Sequence, residues 1–270
     1  MNVIKYVLLD LSLKIIGKIV KKIAKTFFGL FSLLIFTGAF LQCTASYKSQ
    51  YGQDKFLNEH VFKNKKNGVF IDIGAHDGVT YSNTYYFEKE LGWTGICIEP
   101  HPVVFSQLLK NRKARCYPVC IAKENGLIEF TKIEGPEKKI IGVSDHIEML
   151  SGITTKYDVR HSDRIENELA SYGGKKEIIT VPARTLTSVL EESKVTTIDL
   201  LSIDVEGAEL DVLLSIDFNR FKIQCILVEN NYPDTFKEVK DLLLRTGYRH
   251  DASIHIDEVF ILKSANELSQ

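Results

Sequence analysis

Residues 67–78 read NGVFIDIGAHDG, and this stretch decides the fold. Its apolar run Val69–Ile73, interrupted by one aspartate, predicts a buried parallel strand. Gly74 and Gly78 then bracket a tight turn, and the SNT triplet at 82–84 supplies N-cap candidates for a following helix. A strand, a glycine turn and a helix start together predict a place where backbone amides face a bound anionic group.

A second acidic marker ends the next predicted strand. Residues 95–100, GICIEP, place Glu99 at a strand end, where an acid in a doubly wound sheet accepts hydrogen bonds from ribose hydroxyls. NAD and S-adenosylmethionine (SAM) both combine a ribose with a small anionic group. The dinucleotide fingerprint G-x-G-x-x-G needs a middle glycine for its pyrophosphate, and His76 stands at that position. The loop therefore favours SAM as the cofactor.

The composition suits one sizeable globular domain plus an extension: the chain has 270 residues, 44% hydrophobic and 26% charged. Its formal net charge of -1 hides an asymmetry. Residues 1–25 hold six lysines and one acid, which leaves 28 basic and 34 acidic residues, a net of -6, in residues 26–270. An acidic main domain argues against a nucleic-acid partner.

The first 47 residues predict membrane attachment. Residues 1–25 place apolar side chains at helical spacing between lysines, a pattern typical of a basic amphipathic helix on an anionic membrane surface. Residues 26–47 carry no charge and predict a membrane anchor, with a cleaved signal peptide and a buried helix as alternatives. We therefore expect a membrane segment at 1–47, a catalytic domain at 48–270 and a membrane location, with the side of the membrane left open.

The remaining pattern alternates strands with helices, which predicts an α/β fold with a doubly wound sheet that closes on an antiparallel C-terminal pair. Residues 133–176 are polar and rich in glycine, serine and charge, so we expect an irregular insertion that covers the substrate side. Further strands are expected at 115–121, 127–132, 177–182, 197–203, 221–228, 248–254 and 258–262, and helices at 55–62, 85–91, 102–112, 185–192 and 235–246.

Three motifs together resemble the FkbM family of SAM-dependent methyltransferases: DIGAHDG at 72–78, IEP at 98–100 and IDVEG at 203–207. The QYGQD stretch at 50–54 is also similar to that family, and the resemblance runs from about residue 49 to residue 262. It implies a seven-stranded Rossmann-like methyltransferase fold. It also implies methylation of hydroxyl groups on sugars or natural products.

The cofactor is expected to lie on the first two strand ends. Asp72 is predicted to hold the loop or the amino group of SAM, Asp77 to cap the turn or approach the cofactor, and Glu99 to bind the ribose. His101 is placed either beside the adenine or on the surface. The predicted cofactor-binding residues are Asp72, Gly74, Ala75, His76, Asp77, Gly78 and Glu99.

A hydroxyl acceptor needs a base, or a metal that lowers its pKa. Asp204 and Glu206 follow a predicted strand and are the candidate catalytic residues, as base or substrate contact; a helix-capping role for Glu206 is the alternative. Asp204 with Glu229 and Asn230 resembles the divalent-metal site of catechol O-methyltransferase-like enzymes, which implies Mg²⁺, although their following lysine has no counterpart here. His146 and His161 are weaker candidate bases.

The sequence thus predicts a membrane-attached, SAM-dependent O-methyltransferase that acts on a sugar, a glycan or a related hydroxyl-bearing small molecule. A non-catalytic Rossmann-like binding or trafficking module attached to a membrane is the alternative. A nicotinamide oxidoreductase is disfavoured by His76. The methyl acceptor and the oligomeric state stay open.

Overall fold

The computed structural model describes residues 18, 46–136, 146–264 and 267. The chain divides into two compact units, Met1–Ser46 and Tyr47–Gln270. In the first unit only Lys18, which is helical, and Ser46 are described. The predicted amphipathic helix and membrane anchor therefore lie, apart from residues 18, 46 and 47, outside the described residues. Within the part that is described, no helix combines the length and the apolar character needed to cross a membrane.

A seven-stranded sheet forms the centre of the second unit. Its inner strands run parallel, whereas the last strand of the chain is antiparallel to both of its neighbours. This arrangement confirms the predicted doubly wound, Rossmann-like sheet with its antiparallel C-terminal strand. Numbered along the chain, the strands lie side by side in the order β3 (Arg115–Tyr117), β2 (Thr94–Ile98), β1 (Val69–Ile73), β8 (Thr197–Ile203), β9 (Lys222–Glu229), β11 (Asp257–Leu262) and β10 (Tyr248–Ile254).

Strand β1 is buried on both faces of the sheet, because apolar clusters pack against each side. Ile71 and Ile73 belong to one cluster, and Phe70 belongs to the other, as the two-residue period of a strand requires. Asp72 is a charged residue in this apolar strand and is only 5% exposed. A carboxylate kept at such a place needs partners, and the partners of Asp72 lie at the functional end of the sheet.

Helices flank the sheet as expected. The predicted helices at 55–62, 85–91, 102–112, 185–192 and 235–246 are all present, with ends that differ by up to two residues from the predicted ones. The observed bounds are α1 (Gln53–Phe56, continued by the π-helical turn Leu57–Phe62), α2 (Tyr85–Leu91), α3 (Pro102–Asn111), α4 (Val159–Tyr172), α5 (Leu186–Ser193), α6 (Glu209–Leu214) and α7 (Lys237–Arg245).

A second, four-stranded sheet was not predicted. The single strand expected at 115–121 is wrong, because the chain leaves the main sheet after Tyr117 and enters the second sheet at Cys120. Pro118 lies between the two strands, and a proline has no N–H group to donate to a neighbouring strand. The strands lie in the order β4 (Cys120–Ile121), β7 (Lys175–Arg184), β5 (Gly126–Glu134) and β6 (Gly152–Ile153).

The expectation of an irregular insertion at 133–176 is also wrong where the segment is described. It contains α4, strand β6 and 3₁₀ turns at Ile147–Leu150 and Thr154–Lys156. The helix begins after Asp158, whose side chain accepts a hydrogen bond from the Arg160 N–H. Ile165 and Leu169 on this helix pack into a small apolar cluster that also contains Ile147. That narrow apolar stripe is enough to fix the helix, although most of its residues are polar.

Candidate active site

A cavity of about 180 Å³ lies at the carboxyl ends of β1, β2, β8 and β9. This is the edge at which open parallel sheets bind ligands. Three of the predicted site residues, Asp77, Gly78 and Asn230, are not among those that line it. The structure brings the others together along its wall, namely Asp72, Gly74, Ala75, His76, Glu99, Asp204, Glu206 and Glu229.

Gly74 lets two strand ends meet. Its φ angle is +83°, and a Cβ atom at this position would lie 1.7 Å from the carbonyl oxygen of Asp204. The Asp204 N–H in turn donates to the Ile73 carbonyl at 3.0 Å. Only glycine fits a left-handed position with a backbone oxygen this close. The turn therefore brings Asp204 directly against the end of β1.

The backbone amides of the glycine turn are already used within the protein. Those of Gly74 and Ala75 donate to the Ile98 carbonyl at 3.0 and 3.1 Å. The His76 N–H donates to Oε2 of Glu99 at 2.9 Å. The sequence predicted that amides in this turn would face a bound anionic group. These three instead hold the turn against β2, so the turn shapes the cavity wall without offering them to a ligand.

Asp77 caps the turn. Its Oδ1 accepts hydrogen bonds from the N–H groups of Val79 and Thr80, and its Oδ2 accepts one from the Thr80 hydroxyl. Burial opposes ionisation, but the adjacent His76 ring and these hydrogen bonds hold the pKa of Asp77 below its usual range. Of the two roles that the sequence left open for Asp77, this geometry favours the cap.

His76 lies between acidic side chains. Its Nδ1 lies 3.6 Å from Oδ1 of Asp77, and its Nε2 lies 3.7 Å from Oε1 of Glu148. Burial alone would lower the pKa of the imidazole, but these two carboxylates and Glu99 outweigh it and raise the pKa to about 9. His76 is therefore a cation at neutral pH, and its φ of +48° shows that the turn holds it in a left-handed conformation.

Glu99 is fixed by two backbone donors at the end of β2. Oε2 accepts from the His76 N–H, and Oε1 accepts from the His101 N–H at 2.7 Å. Burial raises the pKa of Glu99, which is 7% exposed. Each carboxylate oxygen can accept a second hydrogen bond, so the group can still bind a hydroxyl. Glu99 lines the main cavity and a smaller neighbouring one.

The smaller cavity is mostly apolar. It adjoins Gly74 and Glu99, and its wall includes side chains from both sheets. His101 does not line this space; its Nδ1 caps α3 by accepting from the Val104 N–H, and its Nε2 lies 3.0 Å from the Ile133 carbonyl. Burial lowers the pKa of His101. The apolar wall includes Ile98, Pro100, Val119, Phe130 and Ile153.

Asp72 belongs to a buried network around Arg112. The Thr84 hydroxyl donates to Oδ2 of Asp72 at 2.5 Å, and Arg112 Nη1 lies 3.7 Å from the same oxygen. The guanidinium also donates to the Gly78 carbonyl, the Thr84 hydroxyl and Glu88. Burial raises the pKa of Asp72 in spite of the nearby cation. Arg112 thus ties the end of the glycine turn to α2.

Asp204, Glu206 and Glu229 form a carboxylate cluster. One carboxylate oxygen from each lies within 4.8 Å of those of the other two. The Asp204 side chain is exposed to the cavity, but the surrounding protein excludes water from it. This desolvation and the nearby charge of Asp257 raise the pKa of Asp204 to about 7. Burial and mutual repulsion raise the pKa values of Glu206 and Glu229 as well. Three such groups together can bind a cation or a proton.

Asn230 has other contacts. Its Nδ2 donates to Oε1 of Glu258, and its Oδ1 is buried without a hydrogen-bond partner. Glu206 is a further carboxylate beside Asp204 and Glu229 in the cluster. Glu206 has a left-handed φ of +56° and accepts a hydrogen bond from Nδ2 of Asn231 at 3.2 Å. His161 lies against this group, with Nδ1 3.2 Å from Oε2 of Glu206. The alternative helix-capping role of Glu206 is not observed, because Ala208 is the N-cap residue of α6 and no side chain makes a capping hydrogen bond there.

Comparison with known protein families gives a match to the part of the chain that contains these site residues. A model described as the methyltransferase FkbM domain matches residues 72–250. The chain belongs to the FkbM methyltransferase family. This assignment confirms the resemblance drawn from the three sequence motifs.

One curated relative of this FkbM-family chain is the 2-O-methyltransferase NoeI of Sinorhizobium fredii, 27% identical over 156 residues. The match covers 55% of this chain and 57% of that protein, so the chain spans little more than half of its relative. Among solved structures, an FkbM methyltransferase from Methylobacillus flagellatus KT is similar with a TM-score of 0.42 and 10% identity, over 72% of this chain and 43% of that one. Aeropyrum pernix fibrillarin, solved with bound SAM, is similar with a TM-score of 0.41 and 13% identity, over 80% of this chain and 75% of that one.

Sequence reasoning missed several residues of this FkbM-family site. Asp257 lines the cavity at the start of β11 and accepts a hydrogen bond from Nε2 of Gln53 at 2.5 Å. Asn83 also lines it, and its Nδ2 donates to Oγ of Ser202. The QYGQD motif pointed to the region of Gln53. Nothing in the local sequence around Asp257 or Arg112 distinguished them from other charged residues of the surface.

Proposed function

We propose that this FkbM-family protein transfers the methyl group of SAM to a hydroxyl group of a sugar, a glycan or a related small molecule. The observation that carries the proposal is the position of Glu99, which is fixed by two backbone donors and lies between the two cavities. The ribose would bind Glu99, and the apolar cavity suits the adenine. The amino-acid end would then lie in the main cavity near Asp72. The 2-O-methyltransferase relative supports oxygen as the methylated atom.

The bound cofactor supplies an electrophilic methyl group. The chain must align an acceptor oxygen with that methyl group and receive the hydroxyl proton. Asp204 is suited to the second task, because it is open to the cavity and its pKa of about 7 allows it to take up a proton near neutral pH. As the new C–O bond forms, the C–S electron pair returns to sulfur and the proton passes to the carboxylate. Glu206 is the second candidate.

As the alternative to a metal-free base, we propose that a divalent cation such as Mg²⁺ binds the carboxylate cluster. The fit rests on the donor set, since Asp204, Glu206 and Glu229 offer oxygen ligands within 4.8 Å of one another and repel each other without a cation. A cation held there would lower the pKa of an acceptor hydroxyl. The test is thermal unfolding at pH 8 with EDTA or with excess Mg²⁺. Mg²⁺ should stabilise the wild type and not a Glu229→Gln variant; equal shifts in both would contradict the site.

Two measurements test the proposed function. Calorimetry should show SAM binding to the full-length protein. Incubation with labelled SAM and a panel of methyl glycosides should release S-adenosylhomocysteine and label an acceptor. Absence of SAM binding would overturn the proposal. Binding without release in the presence of any acceptor would instead favour a non-catalytic module.

Membrane attachment through residues 1–47 is a separate proposal, supported by the lysines of residues 1–25 and the uncharged residues 26–47. Fractionation of cells that express the full chain tests it. We expect the protein to sediment with membranes and to require detergent for release. Recovery of the full-length product in the detergent-free supernatant would contradict the proposal.

A further inference from the structure

The wall of the main cavity is rich in carboxyl groups. Seven carboxylate residues line it, against two positively charged ones, Arg164 and His76. Both cations already have acidic partners. Nε of Arg164 donates to Oε1 of Glu168 at 3.0 Å, and His76 lies between Asp77 and Glu148. Among the residues that the structure describes, carboxylates therefore outnumber cations on the cavity wall, and each of the two cations already lies next to an acidic side chain.

The backbone N–H groups of the glycine turn and of the residues that follow it are used within the protein. The N–H groups of Gly74, Ala75 and His76 donate to Ile98 and Glu99. Those of Val79 and Thr80 donate to Asp77. An anion site built from main-chain amides needs several such groups that point at the ligand. In this turn the five N–H groups named above donate to groups of the protein itself.

An unpaired hydrogen-bond acceptor in the cavity wall is an independent indication of the kind of ligand that would bind. Asn83 lines the cavity and is 9% exposed, and its Nδ2 is held by Oγ of Ser202. Its Oδ1 is buried and has no hydrogen-bond partner. A buried acceptor without a donor is costly, so a ligand that supplies an N–H group, an O–H group or an ammonium group would relieve that cost.

We propose that the cavity selects its ligands by charge: it takes molecules that are cationic or rich in hydrogen-bond donors, and it excludes molecules that carry phosphate or sulfate close to the carboxylate cluster. This inference rests on the proposed function for its consequence. SAM carries a net positive charge and S-adenosylhomocysteine does not. The same wall therefore holds the methyl donor more tightly than the spent product, and an acceptor that reaches the cluster is a neutral or amine-bearing polyol.

The test uses three adenosine derivatives whose 5′ groups carry a positive charge, no charge and a negative charge. They are 5′-amino-5′-deoxyadenosine, adenosine and adenosine 5′-monophosphate, each titrated directly into the full-length protein with EDTA present. We expect affinity to fall in that order, by about a hundredfold from the first to the last. Equal affinities, tighter binding of the monophosphate, or no binding of all three would overturn the proposal. Failure of SAM alone, with the order of the series intact, would contradict the proposed function and leave the charge selectivity standing.

Variants locate the selectivity at the cavity wall. Asp257→Asn and Glu148→Gln each remove one negative charge from the lining, so each should reduce the amine-to-phosphate affinity ratio several-fold. Two variants are used because Asp257 also accepts a hydrogen bond from Gln53. Glu238→Gln removes a charge from an exposed position on α7 and should leave the ratio unchanged. An equal change in all three variants would show that only overall charge matters and would overturn the proposal.

Discussion

Glu99 shows how one side chain serves both the fold and the site. Its two oxygens hold the amides of His76 and His101, which fixes the glycine turn and the start of α3 against β2. The same side chain lines both cavities. The sequence placed this acid at a strand end but could not show that its backbone contacts come from both sides of the strand.

Replacement of Glu99 by glutamine should weaken SAM binding by between about ten- and a hundredfold. The lost interaction is a hydrogen bond to a charged group, worth about 1.5–3 kcal/mol, and the new amide group would face a backbone N–H with its own N–H. Calorimetric titration with SAM measures the effect. Glu124→Gln, at an exposed position, is the matched control and should bind as the wild type does. Unchanged affinity in Glu99→Gln would refute the ribose role.

Asp204 should make stability depend on pH. Its pKa is about 7 in the folded protein and about 4 in the unfolded chain, so the folded state holds the proton more tightly. The stability that this carboxyl contributes is complete below about pH 4 and is lost as pH rises through 7. Relative to Asp204→Asn, the melting temperature of the wild type should therefore fall between pH 5 and pH 8 when EDTA is present. A difference that stays constant across this range would be the contrary result.

At the scale of elements, the contact of β1 with β8 depends on Gly74. Gly74→Ala should lower the free energy of unfolding by at least about 2 kcal/mol, because a left-handed φ and an overlap with the Asp204 carbonyl both oppose a Cβ. Urea unfolding measures the change. Gly126→Ala is the control, since no atom lies within 4 Å of a Cβ there, and it should change stability by less than about 0.5 kcal/mol. Similar losses in both variants would contradict the close-approach argument.

Arg112 joins α2, α3 and the glycine turn through one buried guanidinium. Arg112→Met should cost about 3–5 kcal/mol of stability, because Asp72 and Glu88 would keep buried charges without their partner. Chemical unfolding measures it. Arg220→Met serves as the control: Arg220 pairs with Glu191 at an exposed site, and its loss should have little effect. If the Arg112 variant were as stable as this control, the network would not hold the turn.

The elements were predictable where their pattern was strong. Strands β1 and β8 have the predicted bounds, because an apolar run closed by an acid and a glycine has few other interpretations. Strands β5 and β7 were predicted in part, at 127–132 and 177–182, but their place in a separate sheet was missed, because the pattern of a single strand does not show which strands it pairs with. Helix α4 was missed because only Ile165 and His161 among its residues are buried, so its helical period is faint against a polar background.

At the scale of the whole molecule, the site is assembled from distant parts of the chain. The sequence indicated Glu99 and Asp204 because strand ends at the same edge of a parallel sheet converge. The sequence did not predict that Asn83, Arg112 and Asp257 belong to the site. Their roles depend on tertiary neighbours such as Ser202, Glu88 and Gln53, and no local spacing encodes such pairs.

The charge distribution of the chain gives a further prediction. Residues 26–46 carry no charge, so residues 47–270 hold 28 basic and 34 acidic residues, whereas residues 1–25 carry a net charge of +5. A protein comprising 47–270 should pass through heparin-Sepharose at 150 mM salt, since it presents no excess of positive charge to a polyanion. The full chain, kept in detergent, should be retained. Retention of the shorter protein would contradict the expectation that nucleic acid is not a partner.

The C-terminal hairpin has a consequence for biosynthesis. Strand β11 lies between β9 and β10 and brings Asp257 to the cavity. Strand β1 cannot pair with its neighbour β8 until residue 203 has been synthesised. A nascent chain that still has its last strand in the ribosomal tunnel therefore lacks one wall of the pocket. Methyl-donor binding is therefore expected to require the completed hairpin and cannot guide the folding of the chain before β11 has joined the sheet.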